Sequence, residues 1–369
     1  MAAKAARLAF LAGACLYFAT AAARADIVIG VAGPMSGQYQ AFGQSLLNGV
    51  KAAVDKINAS GGLKGEQLSI ITADDQCDIF KAKEAANKLL TQNVDVVVGH
   101  FCSNPTLEAA KLYDKAGVTL IAPSAALPAL TDSGLSNVIR VTTRLDAQGA
   151  FAAKRILAKR PNAKLAVVDD GSTDMKAIIA SFAAAYGKPV TITASIVADQ
   201  KDFAEVIAKL KAANIDTLYL ATNGSDAGRI TVVAAKAGLD LKRYGPDSLL
   251  IDTFWTASAA DGENTLVSFP AAPENNSEAK VLSRDMKALG QATEGPFLPA
   301  YASVQLFADA AGQAGPHSKA KIAETLKSGD SFATILGPLS FDANGDTQDL
   351  RFNWYSWNNG VYQTIAPEN

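Results

Sequence analysis

The stretch Val94–Thr106, VDVVVGHFCSNPT, constrains the fold more than any other part of the chain. A run of Val closed by Gly99 reads as a strand buried on both faces, as in a parallel sheet covered by helices, and Pro105 marks the opening of the next helix. Ser103, backbone N–H groups and a helix N-terminus therefore meet at the carboxyl end of a strand, where open α/β sheets form binding crevices. A second apolar run, Val118–Ala126 (VTLIAPSAA), ends in the same kind of turn. With both strands in one parallel sheet, Ser103 and Ser124 face one crevice.

The same alternation of short apolar runs and helical patterns extends along the chain. Asp26–Ala32 is a strand; a loop over Gly33–Gly43 follows, then a helix with Leu46, Leu47, Val50, Val54 and Ile57 at helical spacing that stops at Gly61-Gly62. Leu68–Ala73 is a second strand, followed by the acidic loop DDQCD (Asp74–Asp78) and a helix over Ile79–Gln92. The loop is read as solvated rather than metal-binding, because its spacing fits no ligand pattern. A short strand at Val138–Thr143 precedes a new series: helix Ala147–Lys159, strand Lys164–Asp170, helix Asp174–Tyr186, strand Val190–Ile196, helix Phe203–Ala213, strand Asp216–Thr222, helix Asp226–Ala237 and the loop YGPDS around Asp247. Near Leu266–Phe269 the chain leaves this second series, runs through helices at Ser277–Ala288, Pro299–Ala314 and Lys319–Ser328, and ends hairpin-like. DANGD, Asp342–Asp346, is a turn and not a calcium loop, since its Gly is misplaced and Asn353 stands where a bidentate Glu is needed.

Several functions are excluded by what surrounds this pattern. Lys4 and Arg7, an apolar run over Leu8–Ala23 and the small-residue pattern ending at Ala25 read as a secretory signal peptide over residues 1–25. Cys15 lacks the Leu of a lipoprotein signal three places before it. Two cysteines then remain, Cys77 and Cys102, in an oxidising compartment, and a disulfide between them is expected, joining the loops of adjacent strands. The formal net charge of −2 and the absence of a basic patch exclude nucleic acid, and no apolar run after the signal is long enough to span a bilayer. Two histidines leave no room for a His-based metal site or triad; no metal or cofactor is expected, and His100 is read as a packed core residue. No GxSxG elbow and no HExxH motif is present, so the chain is read as a binder, with a sensor module or an exported enzyme using the same crevice as the alternative.

The order VIGVAGPMSG, INASGGLKG, DDQCD, VVGHFCS, APSAALPALT, VIRVTTRLDAQG, KDF, NID, AKAGL, GPD and GPLSFDANGD resembles the periplasmic leucine/isoleucine/valine-binding proteins of ABC transporters over nearly the whole mature chain. The resemblance implies an α/β type I periplasmic binding protein: two doubly wound parallel-sheet lobes, 26–144 plus 272–349 and 145–271 plus 350–369, joined by three hinge crossings and closing on a ligand. It also implies a monomer in the periplasm that captures an amino acid or related polar solute and serves a membrane permease. It supports the Cys77–Cys102 bridge. On matching positions Ser103 meets the α-carboxylate or α-ammonium, the backbone at Ser124 and Ala126 supplies a carbonyl and an N–H, and Asp247 pairs with the α-ammonium from the opposite lobe.

The departures from the family pattern bear on the ligand. Ala126 replaces a Thr, Asp174 stands near a family Tyr, Asn223 aligns with another Tyr, and Phe42 replaces a third. The walls are therefore more polar than a leucine binder needs. Asp174 either faces the distal end of the ligand, favouring a cationic or hydroxylated side chain, or caps the helix that follows it.

Overall fold

The computed structural model describes residues 26–271, 276–349 and 352–365. The signal segment with Cys15 and the cleavage point after Ala25 lies outside the described residues, as do residues 272 and 350, where two expected lobe boundaries fall. The first lobe opens with β1 (Ile27–Gly33), α1 (Gln40–Ala59), β2 (Leu68–Asp74), α2 (Ile79–Thr91), β3 (Val96–Val98), α3 (Ser103–Lys115), β4 (Thr119–Ala122), α4 (Ala129–Asp132) and β5 (Val138–Arg140). The second contains α5 (Leu145–Lys159), β6 (Leu165–Asp169), α6 (Thr173–Tyr186), β7 (Ile192–Ser195), α7 (Ala204–Ala212), β8 (Thr217–Ala221), α8 (Gly224–Lys236), β9 (Lys242–Gly245), α9 (Asp252–Ser258) and β10 (Leu266–Pro270). The chain then returns through α10 (Ser277–Ala288), α11 (Phe297–Ala314), α12 (Lys319–Leu326), β11 (Phe332–Thr334) and β12 (Gly337–Leu339), and finishes in β13 (Phe352–Asn358) and β14 (Val361–Thr364).

The first sheet is parallel throughout, in the order β2-β1-β3-β4-β5. Every residue of β3, β4 and β5 is buried, and so is all of β1 except Val28. Helices cover both faces, which is why these strands read as unbroken apolar runs and not as alternating ones. On one face α1 places Leu46, Leu47, Val50 and Val54 in a core shared with Phe307 of α11 and with Phe332 and Leu339 of β11 and β12. Gly49 permits this packing, since a Cβ there would lie 2.1 Å from the carbonyl oxygen of Phe297.

The second sheet runs β14-β13-β10-β9-β8-β6-β7, parallel from β10 to β7 and antiparallel at β13 and β14. Two expectations change here. Leu266–Phe269 is part of a strand within this sheet and not yet an exit, and YGPDS is the end of β9 followed by a 3-10 turn at Asp247–Leu249. The expected terminal hairpin is two hairpins: β11 and β12 pack on the first lobe, while β13 and β14 extend the second sheet, where fully buried Trp357 donates to the Leu249 carbonyl at 2.8 Å. The chain thus crosses between the sheets three times, after β5, after β10 and before β13.

Cys77 and Cys102 form the expected disulfide, with Cα atoms 5.4 Å apart. The expected geometry was wrong in one respect: their strands β2 and β3 are not neighbours, because β1 lies between them. The bridge instead joins loops leading into α2 and α3, which pack side by side, and Cys77 adopts a left-handed conformation, φ 57°. Replacing both cysteines by serine, which opens a loop of separation 25, is expected to lower stability by about 3 kcal/mol, read from the shift in urea midpoint at unchanged slope. A shift under about 1 kcal/mol would remove the bridge as a stabilising element.

Asp75 of the acidic loop is fully buried and not solvated. Its carboxylate meets His100 Nδ1 at 2.6 Å, and His100 Nε2 lies 3.2 Å from the Tyr113 hydroxyl, so His100 is a core residue with polar partners. Burial first, and the Asp75 charge second, hold the Tyr113 phenol protonated. Asp74 binds the Met35 N–H and the Ser36 hydroxyl, and Asp78 caps α2. Among the described residues no group of His, Cys, Asp and Glu is arranged to hold a metal ion. Within DANGD, the Asp342 carboxylate accepts the N–H groups of Asn344 and Asp346, both at 2.9 Å, which makes the segment a self-bonded turn.

Candidate functional site

The carboxyl ends of β1, β3 and β4 carry the first-lobe candidates. Gly99 follows β3 at φ +147°, with no room for a Cβ beside the Ala32 carbonyl of β1, and the backbone then reaches α3 through Cys102. The helix begins at Ser103, two residues before Pro105; Pro105 lies in the first turn, where its missing N–H breaks no helical bond. Ser103 Oγ accepts from the N–H groups of Ala126 at 3.2 Å and Leu127 at 3.3 Å. With both lone pairs engaged, the hydroxyl keeps one function for a ligand, to donate its hydrogen.

The β4–α4 turn is held from two further directions. Arg140, buried in β5, donates from one guanidinium nitrogen to the carbonyls of Ala125 at 2.8 Å and Leu127 at 2.9 Å. The Ala126 carbonyl accepts the N–H of Leu145, at the start of α5, at 3.1 Å, which ties the turn to the first crossing. Ala126 was expected to offer its backbone to a ligand; both its N–H and its carbonyl have protein partners here, and it presents no hydroxyl. Ser124 differs: its Oγ is buried and bonded to nothing among the described residues. Phe42, 39 % exposed, stacks on Phe101 with centroids 4.7 Å apart and planes at 10°, and Tyr39 lies 6.3 Å from Phe101. Tyr39 and Phe101 escaped the sequence reading because an aromatic in a loop has no periodicity to mark it.

The carboxyl ends of β6, β8 and β9, adjacent in the order β9-β8-β6, carry the second-lobe candidates. Asp247 begins the 3-10 turn after β9 and is half-buried. Burial pushes its carboxyl up to about 6; the Ser248 N–H and the Gln148 amide act against this, and the charge of Asp174 adds to it. Gln148 itself is fixed by donating to the Ser268 carbonyl at 2.7 Å. Tyr219 on β8 has a buried hydroxyl with no hydrogen-bond partner among the described residues, near enough to feel the Asp247 charge.

The other two candidates separate. Asn223 is the cap of α8: its Oδ1 accepts the Asp226 N–H at 2.9 Å and its Nδ2 donates to the Asp226 carboxylate at 2.6 Å, so its side chain is committed to the helix. Asp174 does not cap α6. Ser172 does, accepting the Met175 N–H at 3.3 Å, and Asp174 sits in the first turn with its carboxylate exposed. Its carboxyl is nevertheless raised, by burial first and by Asp170 second. Two cavities of about 420 and 480 Å³ at the amino end of the second sheet, both lined by Arg160 and Lys242, contain none of these groups.

Two α/β lobes, each built on a wholly or mainly parallel sheet and joined by three crossings, are the architecture of a hinge-closing binding protein. The chain belongs to the periplasmic binding protein family, whose model matches residues 26–360; it is a solute-binding protein. It is 34% identical over 355 residues to the Leu/Ile/Val-binding protein of Escherichia coli K12, covering 95% of this chain and 96% of that one. It is 32% identical over 364 residues to the leucine-, isoleucine-, valine-, threonine-, and alanine-binding protein of Pseudomonas aeruginosa, covering 96% of each. Among solved structures, the branched-chain amino acid transporter substrate binding protein LivJ of Streptococcus pneumoniae in complex with isoleucine superposes with a TM-score of 0.74 at 29% identity, over 93% of this chain and all of that one. No helix among the described residues is long and apolar enough to cross a membrane.

Proposed function

We propose that the protein captures an α-amino acid between its lobes, in the periplasm, and delivers it to the permease of an ABC transporter. The observation that carries this is the complementarity of the two walls. On the first lobe Ser103 has a hydroxyl hydrogen left to donate, at a helix N-terminus, which suits a carboxylate and not an ammonium. On the second lobe Asp247 is a carboxylate raised by burial and by a like charge, which an ammonium would relieve. The relatives named for amino acids support the same class. In this reading 26–144 plus 272–349 and 145–271 plus 350–369 are the bodies that close, the leader is removed after Ala25, and ligand contacts come from Ser103, the Ser124 turn, Asp247 and the aromatic wall at Phe42.

Calorimetry on refolded, ligand-free protein tests it. An α-amino acid is expected to bind at least a hundredfold more tightly than the same molecule lacking its amino group, because the loss leaves the desolvated Asp247 carboxylate without a counter-charge, worth about 3 kcal/mol. Equal affinity for the two would overturn the assignment. Melting temperature gives an independent reading, since a ligand at a hundred times its Kd adds about 2.7 kcal/mol to the native state.

A further inference from the structure

We infer that the protein has a second ligand site, remote from the crevice between its lobes, where the cationic cavity at the amino end of the second sheet takes a small multivalent oxyanion of the phosphate type. Arg155, Lys159, Arg160 and Lys242 line the cavity of about 480 Å³, Tyr244 and Leu266 supply its apolar part, and no carboxylate among the described residues lies on its wall. The adjoining cavity of about 420 Å³ shares Arg160 and Lys242 and adds Arg243, together with Asp216, Asp240 and Glu263. Distant parts of the chain bring these cations together: Arg155 and Lys159 lie toward the end of α5, Arg160 follows it, and Lys242 and Arg243 open β9.

Structural duties account for part of this cluster. Cations at a helix C-terminus answer its dipole, which suffices for Lys159 and Arg160, and Arg160 also donates to Asp216 at 3.1 Å and to Thr217 Oγ1 at 2.7 Å. Neither reason covers the two cations on β9. The Lys242 ammonium takes no hydrogen bond and no ion pair among the described residues. Arg243 donates only to neutral acceptors, Thr265 Oγ1 at 3.1 Å and the carbonyls of Leu241 at 3.2 Å and Glu263 at 2.7 Å. Both side chains are partly buried. Burial first, and then the charges of Arg243, Arg155 and Arg160, work against the Lys242 ammonium and lower its pKa. A bound anion reverses both effects, and a concave wall of one sign concentrates such anions. One carboxylate would answer one cation, whereas the oxygens of a phosphate or diphosphate reach several at once and match the guanidinium fork. Strand β9 separates Lys242 from the turn that carries Asp247, so the inference stands or falls independently of the amino-acid reading.

Calorimetry with sodium pyrophosphate, at an ionic strength held constant with sodium chloride, tests the inference on the wild-type protein, Lys242→Met and Lys242→Gln. The wild type is expected to bind with a Kd below about 1 mM, and each variant about tenfold or more weakly. Without anion both variants are expected to melt no lower than the wild type, because each removes a charge that the fold leaves unpaired, and methionine keeps most of the apolar stem. No heat beyond that of sodium chloride would overturn the inference. Equal affinity in the wild type and both variants would also overturn it, by putting the anion elsewhere. Cosedimentation with phosphatidylglycerol vesicles, but not with phosphatidylcholine vesicles, in the absence of pyrophosphate binding would overturn it too, by showing that the cations meet a membrane surface and not a solute.

Discussion

Asp247→Asn is expected to bind amino acids at least a hundredfold more weakly than the wild type and to melt at a higher temperature. The two effects have one cause. In the folded chain the Asp247 carboxyl is pushed up to about 6 from an ordinary value of 3.8, by burial and then by Asp174, against the Ser248 N–H and the Gln148 amide. A folded-state value above the unfolded one means that the native state binds more protons between about pH 4 and 6, so stability falls as pH rises through that window. At pH 7 the ionised carboxylate then costs on the order of 2–3 kcal/mol, and the neutral amide of Asn, which keeps the Gln148 contact, does not. The same group makes binding pH-dependent: affinity for an amino acid should be level above about pH 6 and fall about tenfold per unit below it, because the proton must leave before the ammonium can pair. Calorimetry and a thermal melt of Asp247→Asn across pH 4.5–8 check both limbs. A variant that melts lower than the wild type while retaining affinity would take Asp247 out of the site.

Asp346→Ala is expected to cost about 3–5 kcal/mol, the range for an uncompensated buried charge. Arg140 is fully buried; its Nε lies 2.6 Å from Asp346 Oδ1 and a second nitrogen donates to Thr131 Oγ1 at 2.6 Å. Arg144, on the first crossing, reaches the other Asp346 oxygen at 2.8 Å, and Thr131 donates to it at 2.9 Å. Removing the carboxylate leaves Arg140 without its counter-charge in the core. Because Arg140 also holds the carbonyls of Ala125 and Leu127, ligand affinity should fall with stability. The double replacement Arg140→Met with Asp346→Leu should recover much of the stability, since no charge then needs solvation, while the Ser124 turn stays loosened and binding stays weak. Chemical denaturation of the three proteins decides it. A cost below about 1 kcal/mol for Asp346→Ala would show that water reaches Arg140.

The elements were legible where burial is two-sided or periodic. The Val run before Gly99 reads as an interior parallel strand and is one, and Leu46, Leu47, Val50 and Val54 define one face of α1 without reference to anything else. Strands β9 and β14 and helix α9 were missed because Lys242–Gly245 and Val361–Thr364 have mixed composition and Asp252–Ser258 is too short to show a period. Of the candidate site, residue types at strand ends were readable, but their occupations were not. Asn223 and Asp174 looked equivalent as polar residues after a strand, yet one is spent on a helix cap and the other is not.

The sequence by itself determined the class of fold, the disulfide partners and the strand ends at which chemistry is placed, because these depend on composition along short stretches and on the scarcity of cysteine. Tertiary structure alone decided what each polar group has left to offer. Ser103 becomes a donor only because the N–H groups of Ala126 and Leu127 fold over it. Asp75 is buried only because His100 arrives beside it. DANGD is a counter-charge for Arg140 and not an ion loop only because β5 lies against it. Hydrogen-bond capacity is finite and is used up by contacts between residues distant in the chain, so the surplus that meets a ligand is a property of the folded molecule.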